Sequence, residues 1–207
     1  MQLDVVSDFV CPWCFIGLRR LQAACEMAGE GGVAVGVNWH PFLLNPDTPP
    51  EGEPYRAFMV RKFGTEAAVE ALHQRVSAAA AGDGIDFRFD QMPVRPSTRL
   101  AHGVVSALQA AGHDVGALVT ALFEAHFLEL RNIGDPSTVA DLVGRAGLPA
   151  DGVDEIFAAL PSAESLAELA GALRLDGVPA FVLERRQLLL GAQPAKVLHD
   201  AMRSAAG

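Results

Sequence analysis

Cys11-Pro12-Trp13-Cys14 constrains this chain more than any other stretch. The two cysteines stand where a predicted strand hands over to a predicted helix. Upstream, Leu3-Asp4-Val5-Val6-Ser7-Asp8-Phe9-Val10 is short, apolar and rich in β-branched residues, the pattern of a buried strand. Downstream, Leu18, Leu21, Cys25 and Ala28 recur at helical spacing, and Gly29 offers a stop. Pro12 suits the first helical position, because its missing N–H would have no partner there. Cys11 is then the N-cap, and Cys14 lies in the first turn on the same side of the helix. The unpaired N–H groups of a helix start favour negative charge beside them. A thiolate at Cys11 is stabilised there, and the thiolate is the form that attacks a disulfide.

The same pair of cysteines could be half of a zinc site, or two thiols packed together. A zinc site needs further ligands. The third cysteine, Cys25, has no fellow, and His40, His73, His102, His113, His126 and His199 show no pair at ligand spacing. No metal is expected. A strand, C-x-x-C and helix in that order fit a thioredoxin-like redox motif.

Half of the 207 residues are hydrophobic, so a substantial core is available in one large domain or two small ones. The net charge of -9 argues against non-specific nucleic-acid binding. No apolar run reaches the roughly 18 residues expected of a membrane helix, so no membrane partner is expected. The chain begins Met1-Gln2-Leu3-Asp4, without a basic segment or cleavage site. A cytoplasmic location is expected, where a disulfide that forms is catalytic or transient.

Val33, Val35, Val37 and Trp39 alternate with Ala34, Gly36 and Asn38, which predicts a second strand. Strand, helix, strand with short links implies a right-handed βαβ unit. Thr48 to Pro54 is rich in proline and reads as a linker. Helical patterns follow almost to Leu160. Thr65, Ser97, Asp114 and Asp135-Pro136 are the expected helix starts. A helix is expected over Glu164–Leu173. Strands Ala180–Glu184 and Gln187–Leu190 flank an Arg185-Arg186 turn, and Pro194 opens a last helix. The reading is an α/β protein, a thioredoxin fold with an inserted α-helical domain. The thioredoxin-like part takes residues 1–46 and 162–207, and the helical insertion takes 47–161.

The Cys11-Pro12-Trp13-Cys14 motif, the central helical insertion and Gly177-Val178-Pro179 before a late strand resemble the DsbA-like thioredoxin superfamily. Asp8 through Gly17, Trp39-His40-Pro41-Phe42, Asn45-Pro46, Ala101-His102, Ala121 through Phe127 and Leu190 through Pro194 resemble its FrnE-like branch. The resemblance spans nearly the whole chain and implies a thiol–disulfide oxidoreductase. Its substrate would be a thiol- or disulfide-containing protein or small molecule. No bound cofactor is implied, with glutathione or another thiol as co-substrate. Taken alone, Pro179 reads as an ordinary trans proline at a strand start. In this family context the Val178–Pro179 bond is expected to be cis, with the Val178 backbone pairing with an extended substrate beside Cys11.

The expected site is therefore Cys11 as nucleophile and Cys14 as resolving thiol, with Pro12, Trp13, Val178 and Pro179 contacting substrate. Trp13 is expected on the exposed rim and Cys25 as a buried inert thiol. His40, His102 and His126 read as structural histidines. Two other functions compete: a glutathione-dependent isomerase or transferase of the 2-hydroxychromene-2-carboxylate isomerase and kappa-class type, and a binding module whose cysteines are incidental. The oligomeric state is not legible, a homodimer being one option.

Overall fold

The computed structural model describes residues 1–206. The chain divides into two compact units, Met1–Leu44 with Glu164–Gly207, and Asn45–Ala163. The sequence reading put these boundaries at 46/47 and 161/162.

The first unit is built on strand β1, Gln2–Ser7, in which every residue after Gln2 is buried. Helix α1, Pro12–Glu30, follows, burying Phe15, Ile16, Leu18, Leu21, Ala24 and Ala28. Strand β2, Gly36–Pro41, returns parallel to β1, in register from Gln2 opposite Gly36 to Ser7 opposite Pro41. Late in the chain, β5 (Ala180–Leu183) pairs antiparallel with β1, and β6 (Gln187–Leu190) pairs antiparallel with β5. The four-stranded sheet thus runs β2-β1-β5-β6. The last helix, α10 (Ala195–Ala206), packs along α1. Leu3, Val5 and Phe181 are buried on the sheet, and Leu198 and Met202 on α10. This is the thioredoxin arrangement, a sheet with its motif helix leaving the end of the central parallel strand.

The strand carrying the motif is shorter than expected. It ends at Ser7, because the Cys11 amide donates to the Asp8 carbonyl at 3.0 Å and closes a turn over Asp8, Phe9 and Val10. The second strand begins at Gly36 and not at Val33. The Val33 amide is held by the Ala28 carbonyl at 2.9 Å, so the chain is still tied to the end of α1, which runs past Gly29 to Glu30. The helix expected over Glu164–Leu173 is two short ones, α8 (Ala163–Leu166) and α9 (Glu168–Ala172), separated where Ala167 takes φ -96 and ψ 19. Leu183, Glu184, Arg185 and Arg186 make the hairpin turn, with Glu184 and Arg185 at positive φ of 48 and 55.

The second unit is helical: α2 (Tyr55–Phe63), α3 (Glu66–Ala80), α4 (Arg99–Ala110), α5 (Gly116–Phe127), α6 (Pro136–Arg145) and α7 (Val153–Ala158). Thr65 caps α3 by accepting from the Ala68 amide at 3.1 Å, and Asp135 caps α6 by accepting from Ser137 at 3.2 Å. Ser97 is not a cap: α4 starts one residue later, with Thr98 at the boundary and no side-chain cap bond. Asp114 accepts from the Gly116 amide at 2.9 Å, although Val115 is the boundary residue of α5. Strands β3 (Glu53–Pro54) and β4 (Val94–Arg95) form a short antiparallel pair. His73 stacks on Phe89 at 4.4 Å between ring centroids, Phe89 stacks on Phe87, and Phe127 meets Phe87 edge-on. His102, His126, Phe123 and Phe127 are all buried in the described structure.

Candidate functional site

The site residues that a sequence reading proposes fall in the first unit. Cys11 caps α1 with φ -92 and ψ 113, and Pro12 occupies the first turn. The Cys11 carbonyl accepts from the amides of Cys14, at 3.0 Å, and Phe15, at 3.3 Å. These bonds begin the helix and bring the Cys14 side chain back beside Cys11. Both are free thiols.

The two sulfurs titrate in opposite directions. A hydrogen bond from the Cys14 thiol holds the Cys11 thiol below its ordinary pKa, outweighing burial, which pushes the other way. Backbone amides of the helix start add to the lowering. Burial pushes Cys14 well above its ordinary value, and the hydrogen bond it gives to Cys11 pushes it further. One thiol is thus displaced toward its charged form and the other toward its protonated form. Exposure does not account for this division, since both thiols are buried: Cys11 is 5% exposed and Cys14 is 2%. Their difference comes from burial, which dominates at Cys14, and from the hydrogen bond and the helix start, which outweigh it at Cys11. Pro12 and Trp13 are half-buried. Cys25 is half-buried and not fully enclosed, because it lies beside the outward face of α1 next to exposed Glu26 and Met27.

Val178 meets this pair from the other side. Its carbonyl oxygen lies 3.9 Å from the Cys11 sulfur, within reach of a weak S–H···O contact. The Val178–Pro179 peptide bond is cis. Val178 packs with Phe42, Leu169 and Leu175 around buried Val6, Ala170 and Ala180, and Pro179 itself is buried. Cys11, Cys14 and Val178 are thus brought together from opposite ends of the chain, with Pro12 and Trp13 between the cysteines.

Two carboxylates near the motif were passed over by the sequence reading. Asp8, 1% exposed, accepts from the Leu44 amide at 2.8 Å while its carbonyl holds the Cys11 amide. Its charge opposes ionisation of both cysteines. Asp4, also buried, accepts from Asn38 at 3.1 Å and pairs with His40 at 2.9 Å. His40 is therefore tied to the strand pair, in line with a structural role. The available signal was an aspartate inside each apolar end of a run otherwise read as a buried strand; such a group needs partners. Among the described residues there is no group of three or more His, Cys, Asp or Glu side chains that could hold a metal ion. Nor is any helix among them long and apolar enough to cross a membrane.

Known structures repeat this architecture. A probable DsbA oxidoreductase from Streptomyces coelicolor superposes with a TM-score of 0.85 at 28% identity, covering 100% of this chain and 90% of that one. The cytosolic disulfide reductase DsbM from Pseudomonas aeruginosa, in a structure with glutathione, gives 0.60 at 22% identity, covering 99% and 96%. A 2-hydroxychromene-2-carboxylate isomerase gives 0.66 at 16% identity, covering 100% and 96%. At the last two identities the likeness is one of fold. The sequence itself matches the DSBA-like thioredoxin domain over residues 2–203. With that match over nearly its whole length, and with a C-x-x-C motif opening the helix after the central strand, the chain belongs to the family of DSBA-like thioredoxin domains.

Proposed function

We propose that this protein is a thiol–disulfide oxidoreductase working through Cys11 and Cys14. The observation that carries the reading is the geometry at the start of α1: Cys11 at the helix N-cap, Cys14 in the first turn behind it, and the Val178 carbonyl 3.9 Å from the Cys11 sulfur. Cys11 thiolate attacks one sulfur of a substrate disulfide, forming a mixed disulfide and expelling the other sulfur as a thiolate. Cys14 then gives up its proton and attacks the Cys11 sulfur. The substrate leaves as a second thiol, carrying two electrons, and the protein holds a Cys11–Cys14 disulfide. Glutathione or another thiol returns it to the dithiol form; the same steps reversed would oxidise a substrate dithiol.

Val178, Pro179, Pro12 and Trp13 are assigned to substrate contact. The Val178 carbonyl faces the nucleophile, and Pro179 has no N–H with which to compete for an extended substrate segment. The isomerase-like alternative needs a single nucleophile, whereas the hydrogen bond from Cys14 to Cys11 supports a dithiol. A cytoplasmic location is part of the proposal, supported by a cytosolic reductase of the same fold.

The test is equilibration with mixtures of reduced and oxidised glutathione, followed by mass spectrometry. The peptide spanning Cys11 and Cys14 should lose two hydrogens reversibly. A peptide that stays reduced, or only glutathionylated, at every ratio would overturn the dithiol reading.

A further inference from the structure

The Val178–Pro179 corner is braced against α1 at two positions one helical turn apart, neither of them in the C-x-x-C motif. The first is Gly17. A Cβ placed there would come within 3.0 Å of Pro179 Cγ and 3.3 Å of Phe181 Cζ. The Pro179 ring therefore rests on a part of α1 with room for hydrogen only. The second is Arg20, three residues on and so on the same face of the helix. Its Nη1 donates to the Ala192 carbonyl at 2.7 Å. The residue before Ala192 closes the circuit, because the Gly191 amide donates to the Pro179 carbonyl at 2.8 Å. Helix α1 thus touches the proline ring directly through Gly17 and steers the proline carbonyl through Arg20, Ala192 and Gly191. Cys11 opens that same helix, so the brace relates the nucleophile to the carbonyl of Val178, 3.9 Å away.

We infer that Gly17 and Arg20 are positioning residues that set where an extended substrate lies relative to Cys11. The inference rests on the oxidoreductase reading above. A methyl at position 17 must move Pro179 or Phe181 by a few tenths of an ångström, and Phe181 is 0% exposed with no slack around it. Removing the Arg20 donor frees the Ala192 carbonyl and the loop that holds Pro179. Neither change touches a sulfur.

That separation gives the experiment two readouts. One is kcat/KM for reduction of a short extended peptide carrying a cysteine–glutathione mixed disulfide, with reduced glutathione regenerating the protein. Cys11 attacks the peptide sulfur and expels glutathione; Cys14 then releases the peptide thiol. The other is the rate and pH profile of Cys11 alkylation by iodoacetamide, which needs no docking. Gly17→Ala and Arg20→Met should each lower peptide kcat/KM by about tenfold, mostly through KM, with the alkylation profile unchanged. Arg20→Lys, which keeps a donor, should recover part of the loss. Arg19→Ala is the control: Arg19 lies over the Phe15 ring and donates to Gln22 on the same helix. It should leave both readouts as they are.

Peptide turnover unchanged in Arg20→Met, or turnover and alkylation falling together, would overturn the brace. If Gly17→Ala does not fold, Arg20→Met and Arg20→Lys carry the same comparison. A wild-type protein that does not reduce the peptide, or a Cys11→Ser protein that does, would instead sink the oxidoreductase reading on which the brace depends.

Discussion

Each unit of this molecule buries a pair of hydrogen-bonded titratable side chains, and the two pairs behave differently. In the first unit Cys14 donates to Cys11, and the partners are driven apart, one toward its charged form and one away from it. In the second unit the Tyr55 hydroxyl and His73 Nε2 are 3.0 Å apart. There, burial raises the tyrosine and lowers the histidine, so both are held neutral. A shifted pKa is thus not by itself a mark of chemistry. Driving a like pair apart produces a nucleophile beside a proton donor, the asymmetry a two-step exchange needs. Holding an unlike pair neutral satisfies two polar groups inside an aromatic cluster, which is a matter of stability.

The largest effect expected from breaking this contrast is at Cys11. Cys11→Ser should cost turnover roughly 10³-fold or more, because the remaining Cys14 is buried and displaced toward the protonated form. Cys14→Ser should leave attack intact and block release, so mixed disulfides accumulate and can be counted by mass spectrometry. Full turnover in Cys14→Ser with glutathione present would favour the single-thiol, isomerase-type alternative.

Next in size is the difference between the two thiols in the wild-type protein. Since Cys11 is lowered and Cys14 raised, alkylation at mildly acid pH should modify Cys11 at least about tenfold faster. Peptide mapping after a short pulse of iodoacetamide measures the ratio. Equal labelling would remove the asymmetry on which the comparison is built.

How far this contrast could be read in advance depends on where its causes lie along the chain. Cys11 as cap, Pro12 in the first turn and Cys14 behind it depend on neighbours, and they were legible; so were Thr65 and Asp135 as helix caps. Val35, Val37 and Trp39 disclosed the second strand by alternation, but its start was hidden, because the Ala28 carbonyl that holds Val33 belongs to the preceding helix. Asp8 lay inside an apolar run, and its partner Leu44 is far along the chain. What covers Cys11 was not legible, because position in a helix says nothing of the segments packed over it. The setting of His73 was not legible: its partners Tyr55 and Phe89 come from separate segments and meet it only in the folded unit. The pairing of Glu53–Pro54 with Val94–Arg95 is too short to leave any periodicity.

A smaller effect is expected at Tyr55, and it should be confined to stability. Tyr55→Phe keeps the ring and removes the hydroxyl, leaving the buried His73 nitrogen without that partner. A loss of about 1–3 kcal/mol is expected in urea unfolding. The pH profile of Cys11 alkylation should not move. A change in that profile would mean that the two pairs are coupled, and the division between chemistry and stability would fail.

The smallest effect is the pH dependence contributed by His73. Its folded pKa lies below the ordinary value, chiefly because burial disfavours the imidazolium. In the unfolded chain it titrates near the ordinary histidine value, about 6.5. Above that pH both states hold neutral histidine, and the group adds no slope. As pH falls through about 6.5 the unfolded chain takes up a proton that the folded chain does not, so stability drops, and the drop continues down to the folded pKa. Acidic side chains also titrate in the lower part of this window, so the wild-type curve alone does not isolate the effect. His73→Gln supplies the difference: glutamine can accept from the Tyr55 hydroxyl but takes up no proton. Urea midpoints for both proteins between pH 7.5 and about 5 should converge as the pH falls, because only wild type loses the histidine contribution. Parallel curves would show that His73 is not held neutral by the fold, and a histidine that ionises freely in its aromatic cluster would end the contrast with the thiol pair.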